Sequence, residues 1–148
     1  MRQLTNVEAT VSILNFAERM SWECYGEKNV NNISKINRAI GALLVDGKNG
    51  YGTSATPLAE YGKRHAFDSI EGKIIVVLTD GEWSTQSSEI ASAGNLKRKG
   101  AIIYAIGIGD ADYAFLSQIA SDGGAKKIDL SQLSDTFSQI ASNIATQL

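Results

Sequence analysis

The chain has 148 residues, of which 43% are hydrophobic and 20% are charged, and its formal net charge is −2. These are ordinary values for a globular protein, so we expect a single domain over residues 1–148. The balanced charge argues against a nucleic-acid-binding protein, which usually carries a basic face. Since no stretch is long and apolar enough to span a membrane and the N-terminus is unlike a signal peptide, we expect a cytoplasmic protein.

The first part of the chain predicts a β-hairpin followed by a helix. Residues 9–16 alternate roughly between apolar and polar side chains and are rich in strand formers, and residues 19–25 can form the second strand. Isoleucine and leucine at helical spacing predict an amphipathic helix over residues 32–45. Residues 46–57 follow as the most turn-rich segment, with three glycines and the only proline of the chain.

From residue 56 onward, helices and strands alternate. Helices are expected over residues 57–69 and 86–99, from Asp112 to about Gly123, and from Leu133 onward. Asp110 and Asp112 are both candidates to cap the third of these helices. Strands are expected at 73–79, 101–108 and 126–130, and the unbroken apolar runs of the first two predict strands buried on both faces. This alternation predicts an α/β fold with a mostly parallel, doubly wound (Rossmann-like) sheet between two layers of helices.

Two oxygen-bearing side chains are candidates for a metal site. Asp80 directly follows the strand at 73–79, and open α/β sheets bind ligands beyond the carboxyl ends of their strands. Thr53 lies in the glycine-rich loop before a predicted helix. A hydroxyl and a carboxylate suit Mg²⁺, which prefers oxygen ligands and keeps several waters. Equally, Asp80 can simply complete a turn before Gly81.

The sequence resembles the von Willebrand factor type A (vWA) domain over nearly its whole length. The matching stretches are VSILNFAERMSW as the family's second and third strands, GYGTSATPLAEY as its threonine loop, IIVVLTDGEWS as its central strand with an aspartate, and GAIIYAIGIGDADYAFLSQIA after it. Each motif alone is weak, but LTDGE after a Gly-Thr loop and before AIGIGD is a specific combination. The resemblance implies a three-layer αβα fold with an antiparallel edge strand.

The resemblance also implies a metal-ion-dependent adhesion site (MIDAS). In the family, Mg²⁺ is bound by an Asp-x-Ser-x-Ser motif after the first strand, by a threonine like Thr53 and by an aspartate like Asp80, and a carboxylate of the protein partner completes the shell. No Asp-x-Ser-x-Ser occurs in these 148 residues. Met1 matches the last turn of the family's first helix, so the first central strand and three metal ligands are expected to be missing.

Three outcomes for the missing strand are open. Another chain can supply it, because an exposed strand edge invites strand addition or self-association. The sheet can instead close, with the strand at 9–16 paired directly with the strand at 73–79. Alternatively, the chain is a fragment that folds poorly alone.

The resemblance implies a binding or assembly module rather than an enzyme. Beside Asp80, the candidate partner contacts are Glu82, Trp83 and Asp110, although Trp83 can equally pack on its own loop. A degenerate domain that keeps the fold and binds no metal is a second interpretation, and an extracellular adhesion role is also open. The alternative to a binding module is a Mg²⁺-dependent α/β phosphohydrolase or nucleotide-binding protein. Apart from Asp80, the sequence feature that favours this alternative is GIG, a fragment of a dinucleotide fingerprint.

Overall fold

The computed structural model describes residues 11–27, 38, 54–65 and 73–147. Contacts divide the chain into two compact units, residues 1–57 and 58–148. The helix predicted over residues 32–45 lies outside the described residues except for Arg38, which is helical. Within the described ranges, no helix is long and apolar enough to cross a membrane.

The first unit contains the predicted antiparallel hairpin. Strand β1 (Val11–Phe16) pairs with β2 (Met20–Glu27), which begins and ends slightly later than predicted. After the glycine-rich loop, the backbone N–H of Ala55 donates a 2.9 Å hydrogen bond to the carbonyl of Ala17 in the hairpin turn. This bond ties the end of the loop segment to the hairpin.

The second unit confirms the predicted alternation of helices and strands. The three strands described in this unit are parallel, in the order β3-β4-β5. The described elements, in chain order, are α1 (Pro57–His65), β3 (Ile74–Thr79), α2 (Gln86–Arg98), β4 (Ile102–Ile108), α3 (Tyr113–Ile119), β5 (Ala125–Ile128), a short 3-10 helix (Leu130–Gln132) and α4 (Leu133–Gln147).

Strand β4 lies at the centre of this unit and is covered on both faces. On one face, Tyr104 and Ile106 pack against Ile140 of α4. On the other face, a Cβ atom added to Gly107 would lie 2.6 Å from a side-chain carbon of Leu116 in α3. Glycine therefore permits the close approach of α3, and β4 is buried between two helical layers as predicted.

Strand β3 corrects one prediction. Its apolar run predicts burial on both faces, but Val76 and Leu78 are each 38% exposed. The exposure is confined to one face of the strand, because Val77 between them is only 6% exposed; among the described strands, β3 pairs with β4 only. The described strands form two sheets, β1-β2 in the first unit and β3-β4-β5 in the second.

The end of α3 depends on a neighbouring helix. This helix ends at Ile119, earlier than the predicted stop near Gly123. The Lys97 ammonium of α2 donates hydrogen bonds to the carbonyls of Gln118 (3.1 Å) and Ala120 (3.0 Å). A cation thus satisfies carbonyls that a helix end leaves without intrahelical partners.

The start of α1 depends on a buried carboxylate. Glu89 of α2 is fully buried and accepts hydrogen bonds from the backbone N–H groups of Leu58 (2.7 Å) and Ala59 (3.2 Å). These N–H groups belong to the first turn of α1, where helices leave donors unpaired and where the helix dipole favours negative charge. Burial raises the pKa of Glu89 above its ordinary value, although the two backbone hydrogen bonds act in the opposite direction.

We expect Glu89→Ala to lower the free energy of unfolding by about 1–3 kcal/mol, because it leaves the buried N–H of Leu58 and the partly buried N–H of Ala59 without this acceptor. The pKa of Glu89 is higher in the folded protein than its ordinary value of 4.5, so protonation of Glu89 stabilises the folded state. This stabilisation is complete below pH 4.5 and is lost as the pH rises through the pKa of Glu89 in the folded protein. Urea unfolding at a series of pH values measures this contribution.

Glu89→Gln is the matched control for that experiment, because glutamine keeps an acceptor for α1 but does not titrate. We expect the loss of stability above pH 4.5 in the wild type to be absent from this variant. If the free energy of unfolding changes with pH in the same way for both proteins, Glu89 does not titrate in this range.

Candidate functional site

The candidate site lies at the carboxyl edge of the parallel sheet. Asp80 directly follows β3, Asp110 follows β4, and the register of these strands pairs Thr79 with Gly107. Because neighbouring parallel strands end at the same edge, the loops after β3 and β4 lie side by side. The structure thus places Asp80, Glu82 and Asp110 at one edge, and all three side chains are exposed.

The loop after β3 is held by two side chains. The hydroxyl of Thr79 accepts hydrogen bonds from Nε1 of Trp83 (3.0 Å) and from the backbone N–H of Gly81 (3.4 Å). Trp83 is only 6% exposed, and its ring centroid lies 5.0 Å from that of Phe115 in α3. Of the two predicted roles for Trp83, the structure favours packing on its own loop, because so little of the side chain is open to a partner.

The loop after β4 is connected to α2 through Asp112. One carboxylate oxygen of Asp112 accepts from the backbone N–H of Phe115 (3.1 Å), and the other accepts from the side-chain amide of Gln86 (3.1 Å). These two hydrogen bonds hold the pKa of the Asp112 carboxyl below its ordinary value. The cap on α3 was predicted from local sequence, whereas the connection to Gln86, the first residue of α2, was not.

The described residues supply one of the two predicted metal ligands. Asp80 is exposed at the end of β3, and Thr53 lies outside the described residues. In the part of the chain that the structure describes, no three histidine, cysteine, aspartate or glutamate side chains are grouped so that they could hold a metal ion. A single carboxylate fits only a cation that keeps most of its water, as Mg²⁺ commonly does in proteins.

The structure adds Tyr113, which sequence reasoning missed. Tyr113 is the first residue of α3, directly after Asp112, and is 50% exposed. Exposed aromatic side chains often dominate protein interfaces. The position of Tyr113 after a predicted helix cap at the carboxyl edge of the sheet is the sequence feature that could have identified it.

We expect Trp83→Phe to lower the free energy of unfolding by about 1 kcal/mol, because it removes the hydrogen bond to Thr79 but keeps a ring against Phe115. Trp83→Ala also removes that packing, and we expect a loss of about 3–5 kcal/mol. Urea unfolding followed by circular dichroism measures both changes. Tyr113→Ala is the control, with an expected effect within about 0.5 kcal/mol; a Trp83→Ala effect no larger than the control would contradict the anchoring role.

The sequence matches the model of a known protein family. The model of the von Willebrand factor type A domain matches residues 1–143. No curated protein gives a significant match.

Solved structures of several vWA proteins share this fold. Proximal thread matrix protein 1 of the mussel byssus, in a structure with a zinc-occupied MIDAS motif, is 21% identical with a TM-score of 0.69; the alignment covers 92% of this chain and 36% of that protein. A vWA protein from Catenulispora acidiphila is 17% identical with a TM-score of 0.71, covering 93% and 34% respectively. The manganese-loaded TRAP protein of Plasmodium vivax is 14% identical with a TM-score of 0.61, covering 84% and 54%.

This chain therefore spans about a third to a half of the length of the structures it matches. At these identities the structural likeness shows the fold alone, whereas the family match extends over nearly all of the sequence. The parallel sheet between helices, the aspartate at the end of β3 and the family match agree, and the chain belongs to the von Willebrand factor type A domain family.

Proposed function

We propose that the chain is a protein-interaction or assembly module that binds its partner at the carboxyl edge of the parallel sheet. The observation that carries this proposal is the loop after β3, in which Thr79 and Trp83 hold the backbone on either side of Asp80 while the Asp80 side chain remains exposed. A polar group held in place before binding loses little conformational entropy when a partner docks.

The same edge offers further contacts for a partner. Glu82 and Asp110 are exposed beside Asp80, and Tyr113 presents an exposed ring. The hydrogen bond between Gln86 and Asp112 links the segments that carry these residues. We therefore assign the aromatic contact to Tyr113 and give Trp83 an indirect role, as the side chain that holds the loop in shape.

The proposed module has a reduced metal site. We propose that Asp80 binds Mg²⁺ weakly and that a partner carboxylate can complete the shell; Thr53, which lies outside the described residues, stays a predicted ligand from the sequence. Zinc in the mussel protein and manganese in the Plasmodium protein show that these relatives bind divalent cations. Since this sequence has no Asp-x-Ser-x-Ser motif, most of the cation's ligands would be water.

The proposal is for binding rather than catalysis. A metal-dependent phosphohydrolase gathers several protein ligands around one or two cations to activate its nucleophile. The described residues contain no group of three candidate ligands, and the acidic side chains at the carboxyl edge are exposed rather than enclosed in a cleft. These features support an interaction surface.

Calorimetric titration with Mg²⁺ and Mn²⁺ tests the reduced site. We expect weak binding by the wild type and none by Asp80→Ala, because that substitution removes the one carboxylate ligand proposed for the cation. Asp122→Ala is the matched control, since Asp122 is also exposed but lies in the turn before β5. Equal cation binding by all three proteins would show that Asp80 is not a metal ligand. If the folded wild type binds neither cation, the chain is an interaction module that works without metal.

An assay with p-nitrophenyl phosphate and Mg²⁺ tests the enzymatic alternative. We expect no turnover above that of buffer, because no activated nucleophile is proposed at this edge. Hydrolysis that Asp80→Ala abolishes and Asp122→Ala retains would replace the interaction module with an enzyme.

A further inference from the structure

Glu89 is a buried carboxyl group without a cationic partner. Its side chain is fully buried, and its hydrogen bonds come from the backbone N–H groups of Leu58 (2.7 Å) and Ala59 (3.2 Å). Among the described residues, no lysine or arginine pairs with it. A buried charge without a counter-ion is unfavourable, so the enclosed site favours the neutral, protonated form. The raised pKa of Glu89 has the same cause.

The charge of Glu89 depends on burial rather than on a charged neighbour. Besides Glu89, the titratable side chains of α1 and α2 are Glu60, Tyr61, Lys63, Arg64, His65, Lys97 and Arg98. Helix α2 packs against α3 and β4, whose titratable side chains are Tyr113 and Tyr104. Glu60 and Arg64 pair with each other (3.3 Å), and Lys97 lies two turns along α2 from Glu89. Burial is the largest cause of the raised pKa of Glu89, so its protonation follows from whether the carboxyl group is enclosed.

The same carboxyl group holds the start of α1 against α2. Leu58 is only 2% exposed and lies in the first turn of α1, where N–H groups have no partner within the helix. Further along, a Cβ atom added to Gly62 would lie 3.7 Å from a side-chain carbon of Leu96, so the two helices are also close there. Leu58 is the first residue of the second unit. Glu89 therefore acts where the chain enters this unit.

We propose that Glu89 is a proton-dependent switch for the first turn of α1. In the closed state, the neutral carboxyl group is buried and accepts the hydrogen bonds of Leu58 and Ala59. In the open state, the turn has separated from α2, the carboxylate is hydrated and the two N–H groups donate to water. Opening is local, because it exposes the first turn of α1 while the β3-β4-β5 sheet stays folded. The inference does not depend on the proposed partner or cation.

The direction of the pH dependence follows from the two environments of Glu89. In the open state the carboxyl group titrates near its ordinary value of 4.5, whereas in the closed state its pKa is higher. Below pH 4.5, Glu89 is protonated in both states and the closed state is favoured most. As the pH rises from 4.5 to the pKa of the closed state, the open fraction increases by up to about tenfold per pH unit, and above that pKa it levels off.

Amide hydrogen exchange, measured by NMR over a range of pH and corrected for the intrinsic exchange rate, tests the switch. We expect the amides of Leu58 and Ala59 to be less protected than that of Ala105, which is fully buried in β4 and donates to the carbonyl of Gly124 (2.9 Å). We also expect their protection to fall as the pH rises above 4.5. Protection equal to that of Ala105 would mean that the turn opens only with global unfolding, and constant protection would mean no linkage to a proton. Either result would overturn the proposal.

Two variants identify the titrating group. Glu89→Gln keeps an acceptor for the first turn of α1 and cannot ionise, so we expect its Leu58 and Ala59 amides to be equally protected at every pH. His65→Asn removes the histidine that ends α1 and should retain the pH dependence of the wild type. A pH-dependent Glu89→Gln variant, or a His65→Asn variant without the dependence, would assign the switch to a group other than Glu89.

The wild-type protein provides a test that needs no substitution. The carboxyl ¹³C chemical shift of Glu89 reports its protonation directly. We expect its midpoint to lie above 4.5 and within the pH range over which the protection of Leu58 and Ala59 changes. A midpoint at or below 4.5 would show that the buried site does not favour the neutral form, and it would overturn the proposal even if Glu89→Gln fails to fold.

Discussion

The burial of β4 is the constraint on which the second unit depends. From Ile103 to Ile106 this strand is at most 8% exposed, so helices are required on both of its faces. Each parallel connection must return the chain to the amino edge of the sheet before the next strand begins. Every loop that follows a strand therefore opens at the carboxyl edge. The candidate site lies there because of the topology, and its chemistry then depends on which side chains the loops carry.

The carboxyl edge is held by contacts between loops rather than by any one loop alone. Trp83 packs on Phe115, and Gln86 hydrogen-bonds to Asp112, so the segment after β3 and the segment after β4 support each other. Such contacts leave the acidic side chains exposed while restricting the backbone that carries them. This combination suits a docking surface, whose affinity benefits from order that exists before the partner arrives.

The sequence by itself determined the features that depend on neighbouring residues. Apolar runs and helical spacing predicted the order of elements, the hairpin and the buried β4, and the motifs around Asp80 indicated the family. The sequence offered Asp110 and Asp112 as caps of α3, because a helix cap acts within three residues of itself, and the structure shows Asp112 in this role. Thr53 stays a prediction, since it lies outside the described residues.

Only the tertiary structure decided the features that depend on distant parts of the chain. Glu89 meets the start of α1 from about 30 positions away, and the burial of Trp83 requires Phe115 of another helix. The exposure of Val76 and Leu78 depends on what the fold places against that face of β3, and an apolar run has the same pattern whether one face or both faces are covered. The local sequence pattern determines which secondary structure a segment can form, whereas the burial and strand pairing of that segment depend on which other segments the fold places next to it.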